Sequence, residues 1–142
     1  VMLIFVGPVE EKKYFNKLKN QKKILHIGYT KKPEYWFSMT DVLCLPSYRE
    51  GFGTVIIEAA ACGIPTLCSK IYGLKDAIDE YKTGFFHKVG SLNDIERKML
   101  YIIKNKKLTK KYGYLARTKV VNNFDQNILS KKLLKFVNSL ID

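Results

Sequence analysis

Apolar positions along this chain fall into short unbroken runs set between longer polar stretches. Met2-Leu3-Ile4-Phe5-Val6 is continuously apolar and stops at Gly7-Pro8. A run of that length without alternation predicts a strand buried on both faces. Ile24-Leu25-His26-Ile27-Gly28 and Val42-Leu43-Cys44-Leu45-Pro46 predict a second and a third strand. Thr66-Leu67-Cys68 predicts a fourth, and Gly84-Phe85-Phe86-His87-Lys88-Val89 a fifth. Between the strands the pattern turns helical. Residues 10–23 are polar and basic with Tyr14, Phe15 and Leu18 on one side, which predicts an exposed helix. Residues 33–39 carry Tyr35, Trp36 and Phe37 on a short helix. Strands alternating with helices imply an α/β fold, a parallel sheet with helices on both faces.

From Asn93 onward the pattern is helical to the end. Ser91 or Asn93 would cap a helix running to about Asn105, and a second runs from Leu108 to about Asn123. Residues 127–140 are amphipathic, with Ile128, Leu129, Leu133, Phe136, Val137 and Leu140 on one face. No internal repeat or low-complexity linker interrupts the chain. The simplest division is one domain over residues 1–125 with a helical C-terminal tail at 126–142.

One helix stands out. Residues 55–62, Val-Ile-Ile-Glu-Ala-Ala-Ala-Cys, are apolar at every position except Glu58. This predicts a helix buried nearly all round with one carboxylate inside it, and a carboxylate so placed needs polar company. Gly63 would end the helix as a left-handed cap and Pro65 prevents its continuation. Upstream, Glu50-Gly51-Phe52-Gly53-Thr54 follows the third strand. Two glycines before a helix free its first N–H groups, and the helix dipole adds positive potential there, so the segment suits phosphate or another anion. Glu50 and Glu58 stand on either side of this cradle, as a ligand bearing both phosphates and sugar hydroxyls would require. The plainer alternatives are a buried ion pair for Glu58, a surface pair with Arg49 for Glu50, and ordinary turn chemistry for the glycines. In an open parallel sheet, ligands bind beyond the carboxyl ends of the strands. Gly7, Gly28, residues 47–53 and residues 69–73 all follow strands and are expected on one rim.

Composition narrows the picture. The 142 residues, 46% hydrophobic and 13% aromatic, suffice for one domain with a real core. No apolar run approaches the ~20 residues of a membrane span, and residues 1–6 are too short for a secretory leader. A first residue of Val suggests a piece of a longer protein. Cys44, Cys62 and Cys68 are odd in number, sit in apolar segments and lack metal-ligand spacing. They read as reduced core residues of a cytoplasmic protein. The net charge is +12. Eight lysines and no acid occur between Lys12 and Lys32, and twelve Lys/Arg against one acid, Asp125, between Arg97 and Lys135. This reads first as a solvated surface and second as attraction to an anionic partner. Peripheral contact with the inner face of a membrane ranks above nucleic acid, for which no recognition signature is present.

The segment from Ser47 to Pro65, with Ile71-Tyr72-Gly73-Leu74-Lys75-Asp76-Ala77-Ile78 and Thr83-Gly84, resembles the nucleotide-sugar half of retaining GT-B glycosyltransferases. It is most similar to the bacterial enzymes that build capsular polysaccharide, lipopolysaccharide and lipid-linked oligosaccharide. The resemblance covers residues 1 to about 125, and its strong part is the pair of glutamates separated by seven residues. It implies a Rossmann-like C-terminal half of the GT-B fold, with the final helix crossing to the other half. It implies that Glu50 contacts the donor sugar and acts in catalysis, and that Glu58 binds the ribose. Backbone N–H groups at Gly53 and Thr54 would hold the diphosphate, Gly51 and Phe52 would join them in donor binding, and Gly28 and Tyr29 would border the nucleobase. The donor would be a nucleotide sugar, UDP-linked by preference, and the acceptor a glycan or polyprenyl-linked chain, with retention and without a metal or other cofactor. The family's donor half opens with a further strand and helix carrying a basic pair. The sequence begins after that point, which leaves Lys70 as the substitute phosphate contact and implies weak donor binding without transfer by these residues alone.

Two other classes compete. One is a sugar-nucleotide epimerase half, whose carboxylate pattern differs. The other is a basic, non-catalytic module for an anionic membrane or nucleic acid. Gly7-Pro8-Val9 is not a dinucleotide glycine fingerprint, which argues against a dehydrogenase. His26 and His87 read as strand residues rather than catalysts.

Overall fold

The computed structural model describes residues 1–141. The chain packs as two compact units, Val1–Pro33 and a larger one that begins at Glu34.

The smaller unit is a βαβ element. Strand β1 (Leu3–Phe5) pairs in parallel with β2 (Ile24–His26), Leu3 opposite Ile24 and Phe5 opposite His26. Helix α1 (Lys12–Leu18) connects them and lays Phe15 edge-on against the His26 ring, centroids 4.9 Å apart. The helix is half the predicted length, because residues 19–23 form turns instead. Its N-terminal residue Glu11 makes no side-chain cap, and the helix buries no residue. β1 also departs from expectation. Leu3 and Phe5 are exposed, so the apolar run is not enclosed on both sides. The imidazole of His26 bonds the Gly7 carbonyl, Nε2 to O 2.8 Å, so this histidine serves the strand end as its sequence position implied.

The larger unit holds the core. A short helix α2 (Pro33–Phe37) comes first, followed by a three-stranded parallel sheet ordered β3-β4-β5. Its strands are β3 (Leu43–Leu45), β4 (Thr66–Ser69) and β5 (Gly84–His87). β4 lies between the others, with Cys44 opposite Leu67 and Leu67 opposite Phe85. Alternation along the strands sends side chains to two faces. Leu43, Leu45, Cys68 and Phe86 pack with Ile56, Leu74, Ala77 and Ile78 on the face covered by α3 (Thr54–Ala61). Val42, Cys44, Leu67 and Phe85 pack with Ile95, Met99, Ile102 and Tyr112 on the other face, beneath α4 (Leu92–Lys104) and α5 (Lys106–Phe124). This is the parallel sheet with helices on both faces that the runs predicted. Helix α5 also reaches α3, where Ala60, Ala116 and Val120 meet over Ile57 and Phe124.

Helix ends follow their side chains. Ser91 caps α4 by accepting from the Asp94 N–H, 3.3 Å, and Asp125 caps α6 (Gln126–Asn138) by accepting from the Asn127 N–H, 2.9 Å. The apolar stripe of α6 is largely open, with Leu133, Leu134 and Phe136 exposed. Of the three cysteines, which are all free, Cys68 is buried and Cys44 and Cys62 are half-buried. Burial pushes the Cys68 thiol up to about 12 and raises that of Cys44, which leaves both protonated and unreactive.

Candidate functional site

The loop between β3 and α3 is fixed from several sides. Ser47 donates from Oγ to Glu50 Oε1 at 2.7 Å, which anchors a half-buried carboxylate to the residues leaving the strand. The sequence carried no signal for this partner, since a side-chain to side-chain bond inside a loop has no fixed spacing. Gly51 and Phe52 are exposed, and the Phe52 ring lies 5.6 Å from Phe124 at the end of α5. Gly53 adopts φ 67°, ψ 52°, a left-handed conformation that suits glycine. It is buried, and a Cβ there would overlap Leu74 Cδ2. The 3-10 turn Tyr72–Leu74 after β4 therefore lies directly on the loop after β3. Gly73 completes that contact, because a Cβ on it would overlap the Glu50 carbonyl oxygen and stand 2.7 Å from that of Gly51. These two post-strand loops share a rim of the larger unit, as expected.

Helix α3 opens with donors to spare. Among the described residues, no backbone carbonyl accepts from the N–H groups of Gly53, Thr54 or Val55. The first turn of a helix has no acceptors of its own for these groups. They and the helix dipole give this end positive potential.

Glu58 corrects the sequence analysis. The helix is not buried nearly all round: Ile56, Ala59 and Ala60 are buried, whereas Thr54 and Glu58 are exposed. Positions four apart share a helix face, so Thr54 and Glu58 line the open side together. The carboxylate needs no buried partner because it is not buried, and among the described residues it forms no ion pair. It borders a shallow groove of about 330 Å³ with Ile57, Ala61, Val120, Phe124 and Asp125.

Lys70 follows β4 and is turned toward the opposite edge of the sheet. Its Nζ stands 3.8 Å from Glu80 Oε2, in a cleft of about 590 Å³ lined also by His87, Lys88, Asp94 and Lys98. Lys98 reaches Glu80 at 3.9 Å and Asp94 at 3.8 Å and donates to the Phe86 carbonyl. His87 is a buried strand residue, Nδ1 3.0 Å from the Lys88 carbonyl and Nε2 3.5 Å from Ser69 Oγ. Among the described residues, no three His, Cys, Asp or Glu side chains cluster in a way that could hold a metal ion. Gly28 (φ 73°) and Tyr29, which is 76% exposed, follow β2 and belong to the smaller unit.

The comparisons with known proteins agree with this architecture. Residues 1–119 match the family of glycosyl transferases group 1. The chain belongs to that family. It is 28% identical over 147 residues to the capsular polysaccharide biosynthesis glycosyltransferase CapM of Staphylococcus aureus, covering 99% of this chain and 38% of CapM. It is 30% identical over 101 residues to the N,N'-diacetylbacillosaminyl-diphospho-undecaprenol alpha-1,3-N-acetylgalactosaminyltransferase of Campylobacter jejuni, covering 71% of this chain and 27% of that enzyme. The crystal structure of Anabaena Alr3699/HepE in complex with UDP superposes with a TM-score of 0.89 at 21% identity, over 98% of this chain and 41% of that one. That likeness establishes the Rossmann-like GT-B fold, and the chain spans about two fifths of the length of CapM.

The acid cluster beside Lys70 carries a pH signature. Asp94 accepts from the Lys88 N–H at 2.8 Å and from Arg97 at 2.6 Å, which lowers its pKa from 3.8 to about 2. A depressed folded-state value contributes stability that is present above the unfolded value and is lost as pH falls through the folded one. Thermal melts of the chain between pH 5 and about 2 should therefore show Tm falling across roughly pH 4 to 2. Asp94→Asn should flatten that window, and an unchanged slope in the variant would assign the loss to other groups.

Proposed function

We propose that the larger unit binds the nucleotide-sugar donor of a retaining glycosyltransferase at the rim formed by Glu50–Thr54 and Glu58. The single observation that carries this is the start of α3, where among the described residues three N–H groups lack backbone acceptors, with Glu50 before them and Glu58 one turn after them in a chain of the group 1 family. Gly53 and Thr54 N–H groups would receive the diphosphate, with Gly51 and Phe52 shaping the approach. Glu58, one turn along the same open face as Thr54, would take the ribose hydroxyls. Glu50, held by Ser47, would take hydroxyls of the sugar and orient its anomeric carbon.

The chemistry assigned to these groups is a substitution with retention. The bond from the anomeric carbon to the diphosphate oxygen breaks, a new bond to the acceptor hydroxyl forms on the same face, and the acceptor proton passes to the departing phosphate. The charge that develops lies on that phosphate, where fixed N–H groups stabilise it without reorganising. No metal is needed for these steps in this scheme. CapM is named for capsular polysaccharide synthesis, the Campylobacter enzyme for a polyprenyl-diphosphate acceptor, and the Anabaena structure for UDP. These names support a UDP-sugar donor, transfer of a hexosyl or N-acetylhexosaminyl group, and a glycan or lipid-linked acceptor in bacterial surface polysaccharide synthesis. Lys70, engaged by Glu80, is the weakest member of the proposed set.

Donor binding is the property to test on a chain spanning 38% of CapM. A ligand that binds only the folded state stabilises it by mass action, by about 2.7 kcal/mol at a concentration 100-fold above Kd. UDP and UDP-sugars should raise the Tm, with Glu58→Ala removing most of the shift. No shift at millimolar UDP, or an equal shift in the variant, would overturn the assignment.

A basic surface that follows the acceptor to an anionic leaflet is consistent with the same role. The eight lysines between Lys12 and Lys32 are all exposed, and no helix among the described residues is long and apolar enough to cross a membrane. Each lysine near an anionic surface is worth about 1 kcal/mol. Vesicles containing phosphatidylglycerol should co-sediment the chain at low salt and release it near 0.5 M salt, where the Debye length falls to about 4 Å. Equal binding to neutral vesicles would sink this part.

A further inference from the structure

The structure assigns Gly73 a role as the residue that positions Glu50. This rests on the reading of Glu50–Thr54 as the donor cradle, yet the contact itself is independent of any ligand. The turn Tyr72–Leu74 and the loop Glu50–Gly53 interlock twice. In one direction, Gly73 presents only hydrogen where a Cβ would overlap the Glu50 carbonyl oxygen, stand 2.7 Å from the Gly51 carbonyl oxygen and 2.9 Å from the Glu50 carbonyl carbon. All three atoms are backbone, so no side-chain rotation can make room. In the other, the fully buried Leu74 side chain fills the space where Gly53 lacks a Cβ. Each loop thus carries a glycine where the other presses on it.

The remaining supports converge on the same residue. The Glu50 carboxylate is tethered at its far end by Ser47, and the chain beyond Gly53 enters α3, whose Ile56 is locked in the core. With both flanks fixed, the height of the Glu50 backbone is set by what lies against its carbonyl, and that is Gly73. Tyr72 beside it is 89% exposed. Leu74 is anchored in the cluster of Ile56, Cys68, Ala77, Ile78 and Phe86, so the turn cannot retreat as a whole. A methyl group at position 73 must therefore push the Glu50–Gly51 peptides outward. A misplacement of about 1 Å at a reacting site can cost on the order of 100-fold. Gly73 touches no donor atom in this scheme. It acts through Glu50 and the amides that follow.

The test compares three variants of the chain by amide NMR and by titration with UDP. Gly73→Ala should shift the amide resonances of Glu50 to Thr54, across the contact, and weaken UDP at least tenfold. Gly63→Ala is the control for a glycine lost elsewhere: φ is 78° there and nothing lies within 4 Å of the new methyl. It should cost stability through strain while leaving the Glu50–Thr54 amides and the UDP affinity within twofold. Leu74→Val trims the other half of the interlock and remains informative should Gly73→Ala not fold. It should move the Gly53 and Thr54 amides and weaken UDP about threefold. Unmoved Glu50–Thr54 amides in folded Gly73→Ala, or UDP affinity retained within twofold, would overturn the positioning role. Absence of UDP binding by the unsubstituted chain would instead overturn the donor assignment, with the amide shifts still deciding whether Gly73 sets the loop.

Discussion

The constraint on which this structure turns is the burial of both faces of one short parallel sheet. Three strands of three or four residues cannot be stable alone, and their side chains alternate so strictly that each face must be covered separately. Helix α3 closes one face through Ile56, and α4 and α5 close the other through Met99, Ile102 and Tyr112. Parallel pairing then dictates that every strand ends on the same rim. The chain leaves β3 at that rim, turns through Glu50–Gly53 and starts down α3 with first N–H groups that no backbone carbonyl among the described residues accepts. The candidate site is a consequence of how the sheet is covered.

That origin explains the distribution of rigidity. The loop carrying Glu50 has no regular structure, yet the Ser47 hydroxyl, the Gly73 backbone and the Leu74 side chain bear on it from three directions. Loops that bind ligands usually draw precision from a scaffold beneath them. Here the scaffold includes the neighbouring post-strand turn, itself rooted in the same hydrophobic cluster as α3. The cleft around Lys70 is built differently. Lys98, Glu80 and Asp94 satisfy one another there, and such partly exposed pairs contribute little each.

Much of this was legible in the sequence because unbroken apolar runs have few alternative uses. The runs at Val42–Leu45, Thr66–Cys68 and Gly84–Val89 fell where β3, β4 and β5 lie, and Gly63 and Ser91 marked a helix end and a helix start. The glutamate pair located the rim segment. What escaped was decided by geometry between distant residues. Glu58 sits among apolar neighbours in sequence, but the helical period puts it with Thr54 on the open face, and the near-continuous apolar run hid that period. Leu3 and Phe5 in β1 read as buried because hydrophobicity alone does not say which strand is covered. The turn at Tyr72–Leu74 and the role of Gly73 had no local signature, since the reason for that glycine is a carbonyl more than twenty residues away. Lys70 read as available for phosphate because its partner Glu80 is ten residues downstream.

In this reading the main-chain donors opening α3 receive the diphosphate of a nucleotide sugar. The most direct measurement is a residue-by-residue map of amide chemical-shift changes as UDP is titrated into isotopically labelled protein. Saturable, low-field shifts led by Gly53, Thr54 and Val55 are expected, with smaller ones at Glu50 and Glu58. Shifts led instead by the Lys70, Lys88 and Lys98 cleft, or spread without saturation over the lysine surface, would contradict it.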